Sequence, residues 1–193
     1  MKFIISMKIF IRIIKILIII SPCILIGWLL WKNFVPSGNF SAVYKFERTP
    51  WISALRPGHR ISEIREEDGI RVQSLTDDPV YFDITFPITF ESVVVEADYK
   101  NPLNQPFKIG AFTSKKDWKF ALKDFDSKKD LGDGWRTATV EFNLSGLDKS
   151  GRKIMMILSL PEIRKLGGEV VIKEIRMRAI KTPTTILDYV FSY

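Results

Sequence analysis

Three tryptophans outside the N-terminal apolar segment, Trp51, Trp118 and Trp135, are the side chains best suited to ligand recognition. The face of an aromatic ring carries partial negative charge, and it can stack on a flat C–H surface such as that of a pyranose ring. Trp118 follows the polar turn "TSKKD", and Trp135 follows "LGDG". The alternative for each tryptophan is that it covers an edge of the core, as large aromatics commonly do. The sequence therefore predicts three ligand-binding candidates, with core packing as the competing interpretation.

Alternation after Trp135 favours presentation of this side chain. Successive side chains of a strand point to opposite faces, so Trp135 shares a face with Thr137, Thr139 and Glu141. The opposite, buried set consists of Arg136, Ala138, Val140, Phe142 and Leu144. We therefore expect Trp135 to lie on an outer or groove-facing surface.

No constellation of residues points to catalysis. The sequence has a single histidine, His59, and it lacks a nucleophile elbow, zinc-ligand spacing and a phosphate-binding loop. The acidic stretch "DFDSKKDLGDG" does not fit an EF-hand that starts at Asp124, because Lys128 and Trp135 would occupy ligand positions. We predict a protein that is not an enzyme and that has no cofactor and no metal site.

The charge distribution separates the N-terminal segment from the rest of the chain. Residues 1–35 contain five basic residues and no acidic one, whereas residues 36–193 contain 24 basic and 22 acidic residues. A nucleic-acid-binding domain needs a basic stripe on its folded surface. The balanced charge of the larger part therefore predicts no nucleic-acid partner.

The uncharged run "ILIIISPCILIGWLLW", residues 16–31, predicts a membrane anchor. Extended back to residue 9, with Arg12 and Lys15 reaching towards the headgroups, it is long enough for a hydrocarbon core of about 30 Å. A cleaved signal peptide is the alternative, but bulky aromatics stand where small residues are needed. Basic residues precede the run, so residues 1–8 are expected in the cytoplasm. The prediction is a single-pass cell-membrane protein with a transmembrane helix over 9–31, a linker over 32–44 and an extracytoplasmic C-terminal domain.

Strand-like segments separated by turn residues fill the remainder of the chain, at 69–75, 79–86, 91–100, 107–113, 118–125, 135–144, 153–160 and 169–180. Period-two alternation is clear at 69–75, 79–86, 91–100 and 135–144 and less regular at 107–113 and 118–125, whereas 153–160 is apolar throughout, as suits a strand covered on both faces. Helical periodicity is scarce, and residues 161–168 predict one short turn that ends at Gly167. Eight or more short strands predict an all-β domain over 45–181, a β-sandwich or jelly roll.

The order of these segments resembles the galactose-binding-like jelly rolls, which include many carbohydrate-binding modules. The resemblance lies in "EEDGIRVQSL", then "DPVYFDITF" with "FESVVVEADYK", then "GWRTATVEFNLSGL", and finally "GGEVVIKEIRMR". It implies a non-catalytic binding module with a glycan as ligand. Such modules often hold a structural calcium ion, for which Glu47 and Glu174 are the candidates here, although the usual Asp-Asn or Asp-x-Ile-Arg form is absent.

Two other segments suggest contacts with a partner. Residues 49–61, "TPWISALRPGHRI", either cover one end of the sandwich or form a docking lip. In the tail, residues 182–193, a helix would place Ile186, Leu187, Val190 and Phe191 on one apolar face. The second functional hypothesis is therefore a structural or assembly subunit of a cell-envelope complex that docks other proteins through its sandwich and this tail.

Overall fold

A computed structural model describes residues 14–27, 39–114, 116–124 and 127–181. The chain divides into two units, residues 1–37 and 38–193. In the first unit, residues 14–27 form helix α1. Among the described residues, no helix is both long enough and apolar enough to cross a membrane. Residues 9–13 and 28–31 of the predicted anchor lie outside the described residues, as does the predicted docking tail.

Besides a 3-10 turn at Gly58–Arg60, the described residues of the second unit form eleven strands and one short α-helix. In chain order they are β1 (Asn39–Tyr44), β2 (Arg65–Glu67), β3 (Ile70–Leu75), β4 (Val80–Thr85), β5 (Ser92–Lys100), β6 (Lys108–Ser114), β7 (Lys119–Lys123), β8 (Ser127–Gly132), β9 (Trp135–Asn143), β10 (Lys153–Ser159), α2 (Ile163–Leu166) and β11 (Val170–Ile180). A seven-stranded sheet has the order β2-β3-β11-β5-β9-β8, with β1 also paired to β11. A four-stranded sheet has the order β4-β10-β6-β7. This architecture confirms the predicted β-sandwich.

The core lies between the inner faces of the two sheets. Val93, Val95 and Tyr99 of β5 contribute from the larger sheet, and Phe82 and Ile84 of β4 contribute from the smaller one. Their alternation with outward-pointing residues follows from the two-residue period of a strand. Tyr99, with its side chain in this core, is 2% exposed. The domain therefore has two outer faces, one on each sheet, on which a ligand site can be built.

Strand β11 pairs with three others and organises the larger sheet. It pairs with β5 along its length and with β3 at Val170–Ile172, whereas β1 pairs with its C-terminal half. The register of the β5 pairing shifts between Ile172 and Glu174, so Lys173 occupies a bulge. A bulge redirects the side chains around it, and this one therefore changes the direction of the side chains of β11 near Lys173.

Edge strands account for the differences from the sequence-based prediction. Residues 39–44, which belong to the predicted linker, form β1, and residues 127–132, which lie between two predicted strands, form β8. Strand β2 was also missed. These segments are strands because a neighbour offers backbone partners. The polar composition of β2 and β8 gives no period-two signal, whereas Phe40, Ala42 and Tyr44 of β1 do alternate with exposed residues.

Residues 49–61 cover one side of the sandwich, in agreement with the first interpretation of this segment. Ile52 and Leu55 are buried, and isolated bridges join Ile52 to Ile84 and Arg56 to Tyr81 of β4. A further bridge joins Ile61 to Leu75. The segment therefore occupies the edge of β4, where unpaired backbone groups would otherwise be left.

Candidate functional site

The outer face of the four-stranded sheet carries a row of apolar side chains. Directly opposite residues of paired strands share a face, and Tyr81 pairs with Ile157, Ile157 with Gly110, and Gly110 with Leu122. In the neighbouring row, Phe112 pairs with Phe120. This sheet therefore has an aromatic outer face in addition to the face that it contributes to the core.

Trp118 stands at the exposed end of this face, in the turn between β6 and β7. Its backbone is left-handed, with φ 51°, and the residue is 62% exposed. Its ring centroid lies 5.1 Å from that of Phe112 and 6.2 Å from that of Phe120, in edge-to-face geometry. The Phe120 ring in turn lies 5.9 Å from that of Tyr81. We call these four side chains, Tyr81, Phe112, Trp118 and Phe120, the aromatic platform.

Gly110 allows close packing at the centre of this sheet face. A Cβ atom at this position would lie 2.8 Å from Cγ2 of Ile157 and 2.9 Å from Cδ2 of Leu122. Real Cβ atoms do not approach other carbons so closely, because packing in protein interiors leaves no room for such overlap. The missing side chain therefore leaves room beside Gly110 for the side chains of Ile157 and Leu122, which keep this part of the sheet surface apolar.

A buried carboxylate with two cations borders the platform. Asp83 lies on the same face as Tyr81, and only 5% of its side chain is exposed. Arg56 Nη2 lies 2.7 Å and Lys153 Nζ lies 3.0 Å from Asp83 Oδ2. The Asp83 N–H donates to Ser53 Oγ at 2.8 Å. Because Arg56 and Lys153 are half exposed, they offer hydrogen-bond donors at the rim of an apolar surface.

The outer face of the seven-stranded sheet carries Trp135, and the predicted exposure of this residue is wrong. Trp135 does lie on the face opposite the main core, as its alternation predicted, but it is only 9% exposed. It packs with Val72 and Val171, which share that outer face. Lys100 Nζ and Lys173 Nζ lie 4.7 Å and 5.8 Å from the ring centroid. Neighbouring strands supply these contacts, and alternation within one strand cannot reveal them.

Next to Trp135 on this face, Arg176 joins three carboxylates. Its guanidinium donates to Asp98 at 2.8 and 3.1 Å and to Glu96 at 3.0 Å, and it also binds Glu174. Thr137 Oγ1 donates to Asp98 Oδ1 at 2.6 Å. Burial opposes the charged form of Arg176, but the charges of Asp98 and Glu174 outweigh it and raise the pKa of Arg176. We call Arg176, Glu96, Asp98 and Glu174 the Arg176 cluster.

The acidic residues considered for calcium have cationic partners. Glu47 accepts from Arg71 at 2.9 Å, and Glu174 lies 3.3 Å from Lys45 in addition to its contact with Arg176. Both line an open cavity of about 350 Å³ beside β1, together with Val43, Lys45, Arg48 and Thr49. Across the part of the chain that the structure describes, no group of three or more His, Cys, Asp or Glu side chains is placed to hold a metal ion.

The three predicted tryptophans do not come together in one site. Trp51 is partly buried against the core, with its ring 5.0 Å from that of Phe40. Trp118 and Trp135 lie on different sheets. The platform adds Phe112 and Phe120, which the sequence analysis did not single out. Pairing of the predicted strands at 107–113 and 118–125 into a hairpin would have placed both rings beside Trp118.

No protein-family model matches this chain, and no curated protein is significantly similar to it in sequence. Solved structures of carbohydrate-binding modules have similar folds. The CBM22-1 xylan-binding domain of Paenibacillus barcinonensis Xyn10C is 10% identical, with a TM-score of 0.44 over 74% of this chain and 94% of that domain. The C-terminal CBM6 of Zobellia galactanivorans LamC is 11% identical, with a TM-score of 0.43 over 72% and 98%. The module CBM6cm-2 of Cellvibrio mixtus lichenase 5A, solved with cellotriose, is 14% identical, with a TM-score of 0.41 over 73% and 97%.

Proposed function

We propose that the β-sandwich is a non-catalytic binding module for a glycan and that the aromatic platform is its binding surface. The observation that carries this proposal is the exposed Trp118 ring, which two edge-on aromatic rings hold in a fixed orientation. An oriented indole can stack on the C–H face of a sugar without losing much conformational entropy on binding. An exposed apolar patch with a polar rim is also typical of an interaction site.

The rim supplies the polar half of sugar recognition. Arg56 and Lys153 keep exposed N–H groups while Asp83 fixes their positions. Sugar hydroxyls are hydrogen-bond acceptors as well as donors, so these cations can bind them beside the stacked ring. Neutral, extended glycans suit the platform, because its centre is apolar.

A glycan array probed with the full-length chain in detergent, followed by affinity electrophoresis with any polysaccharide that binds, tests this function. Trp118→Ala should weaken binding about tenfold or more, since loss of an aromatic stacking contact is worth about 1–3 kcal/mol. Trp118→Phe should retain most of the affinity because it keeps a ring in place. Leu131→Ala removes an exposed apolar side chain from β8 of the other sheet and serves as the matched control. Equal affinity of Trp118→Ala and the parent chain would refute the site.

Docking to envelope proteins is the alternative function, and it depends on a different segment. Its apolar tail residues, among them Leu187 and Phe191, lie outside the described residues. A partner that co-purifies with the full chain and is lost on deletion of 184–193, but not in Trp118→Ala, would favour docking over glycan binding.

We further propose that residues 9–31 anchor the domain in the cell membrane with the N-terminus in the cytoplasm. The support is the uncharged run 16–31 and the basic residues before it. Extraction of membranes with alkaline carbonate should leave the protein in the pellet. N-terminal sequencing of the mature protein should show that residues 9–31 are retained. A mature start beyond residue 31 would refute the anchor.

A further inference from the structure

The surroundings of Trp135 differ from those of a tryptophan that only fills space. Its ring lies on the outer face of the larger sheet, and two ammonium groups approach it, from Lys100 and from Lys173. Pairing places Lys100 between Val171 and Trp135, and the β11 bulge places Lys173 beside them. Two strands and an irregularity of register therefore bring two positive charges to one indole.

Neither lysine has a carboxylate within ion-pair distance among the described residues, although carboxylates are present on this face. Glu96, Asp98 and Glu174 all bind Arg176. An ammonium over an aromatic ring gains only a modest free energy, and two like charges over one ring repel each other. An anion placed between Lys100 and Lys173 would relieve this repulsion and would make charge-assisted hydrogen bonds with both.

We propose that Trp135, Lys100 and Lys173 form a second binding site, separate from the aromatic platform, for an acidic sugar unit of a polysaccharide. The carboxylate of a uronic acid would bind the two ammonium groups. The C–H face of the same sugar ring would stack on the indole once the lysine stems move aside. A lysine side chain is a flexible four-carbon stem, so its ammonium group can move from the face of the ring to the edge of the ring without a change in the backbone. The inference uses none of the residues on which the neutral-glycan proposal rests.

Polygalacturonate and its fully methyl-esterified form are the matched probes, because they share sugar and linkage and differ in charge. The full-length chain in detergent should bind polygalacturonate at least about tenfold more tightly than the ester, and added NaCl should reduce the difference. The double variant Lys100→Gln/Lys173→Gln should lose about tenfold in affinity for polygalacturonate. A Lys100→Arg/Lys173→Arg variant should recover it.

Two controls separate this site from the platform and from non-specific charge. Trp118→Ala should leave polygalacturonate binding unchanged, so a failure of the platform proposal does not decide this one. Trp135→Phe keeps a ring and should abolish the change in indole fluorescence on binding while retaining measurable affinity. Equal binding of acid and ester, or unaltered binding by the double glutamine variant, would overturn the site. Equally tight binding of polyglutamate would overturn its assignment to a sugar.

Discussion

The two outer faces of this sandwich place a tryptophan in opposite environments. On the four-stranded sheet Trp118 is 62% exposed, and its ring contacts those of Phe112 and Phe120. On the seven-stranded sheet Trp135 is 9% exposed, packed on valines and approached by lysines. Both rings follow a polar turn and begin or precede a strand, so local sequence does not distinguish them. The difference lies in the neighbouring strands, which leave one ring open at a sheet edge and enclose the other.

The two outer faces also differ in their buried charged groups. The platform has a single buried carboxylate, Asp83, at its rim. The larger sheet carries the Arg176 cluster, whose Asp98 and Glu174 are almost fully buried on what is formally an outer face. Buried charges are tolerated only when they are paired and hydrogen-bonded. We therefore expect the Arg176 cluster on the larger sheet to contribute to stability and the aromatic platform on the smaller sheet to contribute to binding.

Replacement of Arg176 by methionine tests the stability half of this comparison and should have the largest effect. The change leaves the carboxylates of Asp98 and Glu174 buried without their main cation, which costs about 3–4 kcal/mol in comparable pairs. Urea unfolding of the full-length chain followed by circular dichroism measures the loss. Arg178→Met, two residues along the same strand at an exposed position, should change the free energy of unfolding by less than about 0.5 kcal/mol. Similar losses in both variants would contradict a special role for the Arg176 cluster.

Alanine at each of the two tryptophans makes the comparison directly. Trp135→Ala removes a packed ring and should lower the free energy of unfolding by about 2–3 kcal/mol, near or below the lower end for buried aromatics. Trp118→Ala removes a ring that is mostly in solvent, so the loss should stay below about 1 kcal/mol. The same urea titration measures both. A larger loss for Trp118→Ala would mean that the platform is structural and would remove the basis of the proposed glycan site.

Gly110→Ala probes how closely the platform is packed. The new methyl would lie 2.8 Å from Ile157, 2.9 Å from Leu122 and 3.1 Å from the Ala121 carbonyl oxygen. Overpacking of this kind costs about 1–3 kcal/mol, and here we expect about 2 kcal/mol in urea unfolding. Gly146→Ala is the matched control, because a Cβ there meets nothing within 4 Å. Equal stability of the two variants would show that Ile157 and Leu122 can separate, and the platform would then be adaptable.

Much of the fold follows from the sequence, because its inner strands alternate. The segments around Phe82, Val95 and Val140 carry a two-residue period that only one sheet face can satisfy, and each is a strand in the structure. The edge strands β2 and β8 have no such period, and in β1 it covers only Phe40, Ala42 and Tyr44. Their conformation depends on backbone groups offered by β11, β3 and β9, and no pattern within these edge segments encodes those partners.

The candidate site was less predictable for the same reason. The side of β9 on which Trp135 lies could be read from alternation, but its burial depends on Val72 and Val171, more than 35 residues away on either side in the sequence. Trp118 could be read as a turn residue, whereas the rings that orient it, Phe112 and Phe120, come from both strands of the hairpin, and Phe120 in turn packs against Tyr81 of β4. Cross-strand neighbours thus decide exposure, and exposure decides which tryptophan a ligand can reach without movement of neighbouring side chains.

Acid titration should give the smallest effect on the free energy of unfolding. It tests the ion pair between Asp77 and Arg164, which belongs neither to the aromatic platform nor to the Arg176 cluster. Arg164 donates to Asp77, with the backbone N–H of Asp78 as a second donor, and these bonds lower the pKa of Asp77 to about 2 from 3.8. Between these values the unfolded chain binds a proton that the folded chain does not, so this contribution is complete above about pH 5 and is lost as the pH falls towards 2. Asp77→Asn should flatten this acid limb in urea unfolding at successive pH values, and Arg164→Gln should flatten it in part. If neither variant changes the limb, the acid sensitivity must come from other carboxylates, and Asp77 is not its source.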